Sequence, residues 1–516
     1  MERRHFMGSM TAALAGGVLV PRIVRAQAVP APAESVPVPF GFEEVARIAT
    51  DLARAAFVTP STVLDPPFRD LGYDAYRGIR FRREADPWAD VPGFGLDLLP
   101  PGMLFTQAVR INLVDEAGTV RPLAFDPSVF DFDDISFPPD AAQMPPGNMG
   151  WSGFRLRTVL NHPGFLDELA VFQGASYFRV LGRGNRYGLS ARGLAIGTGS
   201  PEGEEFPSFR EFWIHTPDLA NGSVTVQALL DSPSVAGAFE FVLTAGNETA
   251  VATRAALIPR RDLADVGIAP LTSMFWFGPG DRGSFDDYRP AVHDSDGLEM
   301  VTGSGQRLWR ALDNPATLQI SAFADRNPRG FGLMQRSRDF ADFQDAEARY
   351  ELRPSAWIEP ASGWGAGAVV LVEIPLDSEF HDNIVSFWKP AQPLVAGVRH
   401  DFAYDQWFGP TPGDGFPVAR VRQTRSGRSI NAPGARSFLI DFDLDLFRDQ
   451  PDPTAVVSTS AGSIEHPYVV RLPDEGVLRL AFEFRPERAE LAEITARLEG
   501  PEGPLSETWL HRWTKG

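Results

Sequence analysis

The chain has 516 residues, of which 48 are basic and 67 acidic, for a formal net charge of -19. That balance argues against an electropositive phosphate-binding surface and gives no case for nucleic acid as a partner. Cysteine is absent, which excludes disulfides, a thiol nucleophile and thiolate metal sites. The eight histidines show no H-E-x-x-H or similar spacing, so neither a metal nor another cofactor is expected. Hydrophobic residues make up 43%, alongside 48 Gly and 45 Pro. Normal apolar content with so many chain-turning residues favours turn-rich β structure over disorder.

Residues 1–28 are expected to form a twin-arginine export signal. Arg3-Arg4 precede Phe6, and a mild apolar run, Met10 to Val20, is too short to span a bilayer. Ala26-Gln27-Ala28 supplies a small-residue cleavage site. A general secretory signal that happens to hold two Arg is the alternative, and either leads across the inner membrane. Cleavage removes four Arg and one Glu, so the net charge moves from -19 by three to about -22. A periplasmic protein without stable membrane insertion is expected, because no other long apolar run follows.

Val29 to Pro39 reads as an extended lead-in. Phe42, Val45, Ala49, Leu52 and Ala56 form a helical stripe. Tyr73–Arg77 and Ile79–Phe81 are expected to open a strand-like region. Val224–Leu230, Ala238–Leu243 and Val369–Ile374 read as strands, and no helix series alternates with them, so an antiparallel sandwich is predicted. Lys389 to Pro393 looks like a linker, which sets predicted domains at 29–392 and 398–516. In the second unit Phe438, Ile440, Phe442, Leu444 and Leu446 take one strand face, with Asp441, Asp443 and Asp445 expected on a solvated one. Glu493–Leu498 and Thr508–Trp513 are predicted hairpin arms. Size and strand spacing fit an immunoglobulin-like sandwich.

The stretch richest in chemistry is Gly267 to Leu298. It mixes Phe275, Trp276, Phe277, Phe285 and Tyr288 with Asp281, Asp286, Asp287, Asp294 and Asp296. Aromatic faces stack on sugar CH groups and carboxylates bind hydroxyls, so the mixture suits a carbohydrate. Gly278–Gly283 matches G-x-G-x-x-G, but it contains Pro and no helix pattern follows, which rules out a dinucleotide fingerprint. Asp294-Ser295-Asp296 lacks the remaining ligands of a calcium loop. What survives is paired-carboxylate chemistry of the kind glycoside hydrolysis needs. Candidates are Asp294 and Asp296, with Glu373, Asp377, Glu379 and Asp382 further on. Trp276, Tyr288, Trp309, Tyr350, Trp357 and Trp388 are the pool for stacking. For any single Asp, a turn or cap is the bland reading.

Several segments then resemble one family. They are Ser176–Gly182 (SYFRVLG), Tyr187–Ile196 (YGLSARGLAI), Gly203–Pro207 with Phe209–Trp213, Ala228–Ser234 and Ile268–Phe275. Asp287–Pro290, Val292–Leu298 (VHDSDGL), Pro328–Gly332, Glu347–Glu351 and Asp382–Val385 continue the match. Together they resemble the OpgG/OpgD (MdoG/MdoD) family of periplasmic glucan biosynthesis proteins, and Arg3-Arg4 lean toward the D-type paralogue. The resemblance implies a large N-terminal galactose-mutarotase-like β-sandwich and a C-terminal immunoglobulin-like one. It implies a role in osmoregulated periplasmic glucans with a β-1,2-linked backbone, and the inner-membrane glucan synthase as a candidate partner. Some members are inverting endo-β-1,2-glucanases and some transfer the chain. On that pattern Asp382 matches the general acid, Asp294 the general base and Tyr350 a substrate-contacting tyrosine that helps relay the proton. Glu379 is expected as the like-charged neighbour of Asp382, and Asp296 is the reserve base. Two readings stay open: a glycoside hydrolase or transglycosylase, and a non-catalytic protein that holds the nascent glucan.

Overall fold

The computed structural model describes residues 40–134, 137–145, 149–283, 285–413, 418–447 and 451–515. The export signal and the lead-in to Pro39 lie outside them. Pro39–Gly516 form one compact unit. Among the described residues, strands dominate, and two sheets of ten and fifteen strands carry most of the chain. The expected all-β sandwich is therefore the observed fold.

Aromatic side chains from the two sheets meet in the core. Phe172 and Phe178, on Asp167–Gln173 and Tyr177–Val180 of the ten-stranded sheet, lie 5.5 and 5.0 Å from Phe241 on Val235–Thr244 of the fifteen-stranded one. Phe154 meets Phe212 edge-on at 5.0 Å. Burying rings of this size is the main stabilising term, at about 25 cal/mol per Å² of apolar surface.

The helix Phe42–Arg54 covers the outer face of the larger sheet, with Phe42, Val45 and Ala49 against Trp213, Ala236, Ala238 and Ala256. Three alanines on the sheet side let the helix approach closely. Glu43 and Glu44 in its first turn and Arg54 in its last complement the helix dipole. Tyr73–Arg77, expected as strand, is a short helix bounded by Gly72 and Gly78. Five residues are too few for periodicity to separate the two structures.

The domain boundary expected near residue 392 needs correction. The strand His400–Gly409 pairs with Thr249–Pro259 on one side and Ser355–Pro360 on the other, inside the fifteen-stranded sheet. Residues 391–399 are thus a crossover from Ile384–Pro390 in the ten-stranded sheet to its partner. A crossover and a linker both need Pro and Gly, so composition alone reads the same for either. The first sandwich extends through Gly409.

Beyond it, Val421–Arg428, Arg436–Asp443, Ser463–Leu472 and Val477–Arg485 form a four-stranded sheet. It packs on Thr454–Thr459, Leu491–Gly500 and Thr508–Thr514 around Phe438, Ile440, Phe482 and Trp509. Leu491–Gly500 and Thr508–Thr514 pair antiparallel, as the hairpin reading expects. Thr508–Thr514 also pairs in parallel with Arg307–Ala311, so the larger sheet runs on without a break into this second core. Asp441 is not on a solvated face. Arg425 and Arg479 on the flanking strands bond its carboxylate at 3.0 and 2.6 Å and bury it. Leu446 is exposed, because the strand ends at Asp443 and a 3-10 turn, Asp445–Phe447, follows.

Candidate active site

Two loops carrying the expected acids are held against each other by side-chain amides and hydroxyls. Asn383 donates to the carbonyls of Phe275 and Ile374, both at 3.0 Å, and accepts the Phe275 N–H at 2.8 Å. Ser273 and Ser295 share a hydrogen bond of 2.8 Å. Buried Gln335 donates to the carbonyls of His293 at 2.9 Å and Tyr350 at 3.4 Å. The Asp294 turn, the Tyr350 turn and the end of the 374–383 loop therefore form one rigid assembly. Such bonds between buried side chains and backbone hold a site in fixed geometry.

Asp294 is 3% exposed and bonds the Arg353 guanidinium. Burial pushes its carboxyl up to about 6, against the pull of Arg353, and the charge of Asp382 adds to the rise. Desolvation outweighs the arginine, so the group is mostly ionised at neutral pH yet still basic enough to take a proton. Asp382 sits on the exposed side of the same cluster. It has solvent access but is walled by protein, and burial raises its carboxyl while Arg179, Arg192 and Arg353 oppose that rise. Among the described residues it makes no hydrogen bond or ion pair. It is an uncommitted carboxyl that solvent can reach.

Tyr350 is buried, and its ring is covered by the Arg353 guanidinium 4.2 Å from the centroid. Its hydroxyl donates to Glu379 at 2.7 Å. Burial and that bond hold the phenol protonated well above its ordinary range. Tyr350 thus offers a hydroxyl and no free stacking face. Glu379 also accepts from Arg289 at 2.7 Å, and Arg289 bonds Asp287 and Asp345 as well. With its charge spent on Arg289 and Tyr350, Glu379 orients the tyrosine.

Asp296 turns the other way. Its carboxylate accepts the N–H groups of Arg336 and Ser337 at 3.1 Å and the Ser337 hydroxyl at 3.3 Å. It ties down the 336–337 turn. Trp309, Trp357 and Trp388, taken from the sequence as stacking candidates, are 3%, 2% and 0% exposed inside the two hydrophobic cores. Their alternating strand positions point inward, where large rings fill volume. Trp357→Ala and Trp388→Ala are each expected to cost about 3–5 kcal/mol of stability. Denaturant unfolding checks this, and an unchanged midpoint with lost glucan affinity would return them to the site.

Tyr288 is 79% exposed and directly precedes Arg289. Phe380, 83% exposed, follows Glu379 and is a stacking candidate that the sequence reading missed. Also missed were Arg179, Arg192, Arg289 and Arg353. Lone arginines have no spacing signature, although Arg179 and Arg192 fall in the segments that carry the family resemblance. Arg192 donates to Thr272 at 2.8 Å and Glu204 at 2.6 Å, and lies 4.7 Å over the Tyr177 ring. The charge of Asp382 reaches Tyr177, and Arg192 opposes the rise of the Asp382 carboxyl, so these groups lie near one another. Tyr177 also lines a cavity of about 190 Å³ together with Phe105, Gln173 and Phe206. Aromatic edges, arginines and the uncommitted Asp382 carboxyl together suit a polyhydroxylated ligand.

Arg353 holds the Asp294 carboxyl below where burial alone would put it, so Arg353→Met is expected to raise it further. Whatever step uses the ionised form then fails at higher pH than in the parent protein. A pH profile of turnover checks it. An acid limb that does not move upward would free Asp294 of that dependence.

The family described as periplasmic glucan biosynthesis protein, MdoG, matches residues 40–513. Glucans biosynthesis protein G of Vibrio cholerae serotype O1 is 46% identical over 478 residues, covering 92% of this chain and 87% of the relative. Its counterpart in Shewanella frigidimarina is 46% identical over 479 residues, covering 92% and 85%. These relatives carry the G-type name, whereas the D-type leaning rests on Arg3-Arg4, outside the described residues. The match spans both cores and the loops that carry Asp294 and Asp382, and the chain belongs to the MdoG family of periplasmic glucan biosynthesis proteins.

Proposed function

We propose that the protein acts in periplasmic glucan biosynthesis by cutting the β-1,2-glucan backbone internally with inversion. Asp382 gives a proton to the leaving glycosidic oxygen, directly or through water and sugar hydroxyls. Asp294 takes a proton from the water that attacks the anomeric carbon on the opposite face. The observation that carries this reading is the contrast between the two carboxyls. One is buried and bonded to Arg353, the other is exposed and unbonded, and burial raises both. A raised, unbonded carboxyl can carry a proton to a leaving oxygen, and a buried carboxyl oriented by an arginine can accept one from water. Tyr350, oriented by Glu379, contacts the sugar or a relayed water through its hydroxyl. Tyr288 and Phe380 supply ring faces at the rim. An acceptor hydroxyl in place of water would give transfer instead of hydrolysis. The periplasmic setting follows the family's description, and no helix among the described residues is long and apolar enough to cross a membrane.

Proton NMR of the first products from linear β-1,2-glucan tests the reading. Inversion of a β linkage predicts that the α anomer of the new reducing end appears first. A β anomer appearing first would place the two carboxyls in a retaining mechanism.

A further inference from the structure

A second cavity of about 670 Å³ opens where the two cores join, beside the parallel pairing of Arg307–Ala311 with Thr508–Thr514. It shares no lining residue with the Asp294, Tyr350 and Asp382 cluster. Its size lies within the range of small-molecule sites. Both signs of charge line it, and they are largely paired. Arg310 bonds Glu373 at 2.9 Å and His511 meets Asp313 at 3.2 Å. Such a wall disfavours a small ion, because each sign it could bind is already opposed by the other.

Bonding capacity remains for a neutral ligand. Asp281 accepts one N–H, from Asn314 at 2.9 Å, and burial with the nearby Asp313 pushes it up to about 6. Among the described residues Arg436 donates only to the Ser426 hydroxyl, and it lines the same cavity as Asp281. A carboxyl and a guanidinium with spare capacity can take paired hydroxyls, as acceptor and donor. Phe285 and Trp513 add apolar ring surface to the same wall. Donor, acceptor and ring together are the chemistry of a sugar site.

The cavity also backs onto the catalytic loop. Asn314, in its wall, donates to the carbonyls of Trp276 at 3.0 Å and Leu376 at 2.8 Å and accepts the Leu376 N–H at 2.9 Å. Leu376 opens the run that carries Glu379 and Asp382.

We propose that this seam cavity is a second carbohydrate site, which takes a short neutral glucose-based oligosaccharide. The choice of glucose rests on the glucan-cleaving function proposed above; the site itself rests on the cavity wall. A chain held there and in the cleft would be anchored at two points of one molecule, which raises effective concentration without any new contact in the cleft.

Calorimetric titration of a linear β-1,2-linked gluco-oligosaccharide into the full chain carrying Asp382→Asn tests this without turnover. Two binding events are expected. Ala316→Trp, which plugs the mouth without touching the buried charges, should weaken one of them at least about tenfold and leave the other. Arg436→Ala should do the same, and thermal melts confirm that both variants are folded. Tyr350→Ala should weaken the other event alone. A single event that Tyr350→Ala removes and neither seam variant changes would overturn the seam site and leave the cleft reading intact. An event that responds to the seam variants, with none that responds to Tyr350→Ala, would support the seam site and count against the cleft.

Discussion

Asp382→Asn is expected to lower glucan turnover by about 10²–10⁴-fold, the span that a positioned general acid contributes. The asparagine keeps the shape of the side chain and can still bond a sugar hydroxyl, so binding should persist. What it lacks is a proton acidic enough to release to the leaving oxygen. Because Asp382 makes no hydrogen bond or ion pair within the described protein, the substitution orphans no partner, and unfolding should be nearly unchanged. That separates it from a structural lesion: turnover falls, while stability and affinity hold. Steady-state rates, calorimetric binding and thermal melts on one preparation check all three.

Asp294→Asn should cost a similar factor in turnover for a different reason, since an amide cannot accept the proton of water. Here stability should fall too, by about 1–3 kcal/mol, because Arg353 would lose the carboxylate that satisfies it in a mostly buried setting. The pH dependence carries the sharper signature. In the parent protein, protonation of Asp294 below about 6 is expected to remove the proposed base, so that activity should fall as pH drops through that value. Residual activity of the variant should lose this limb. If the limb stays in place, another group is the base, and Asp296 is a poor substitute because its oxygens already hold the Arg336 and Ser337 turn.

Much of this was legible in the sequence where pattern and structure share a period. Val224–Leu230, Ala238–Leu243 and the helix at Phe42 follow from alternation and from the 3.6-residue stripe. The pairing of the last two long strands followed from a Gly-Pro turn between alternating arms. Other features were hidden for physical reasons. Residues 391–399 looked like a linker because a sheet-to-sheet crossover uses the same residues. Trp309, Trp357 and Trp388 looked like platforms because composition cannot say which way a ring points. Asp441 looked solvated because its two arginines lie on strands far away in sequence. Asp294, Tyr350, Glu379 and Asp382 were put forward from motif resemblance together with carboxylate chemistry. The arginines that tune them have no spacing signature of their own, and their roles emerge only from burial and distance.

The most direct measurement is the chain-length distribution of linear β-1,2-glucan after incubation with the full chain and, in parallel, with Asp382→Asn. The account predicts fragments of intermediate length early in the reaction with the parent protein and an unchanged distribution with the variant. Glucan that binds the parent protein yet keeps its original length after prolonged incubation would contradict it, and would leave a protein that holds glucan without cutting it.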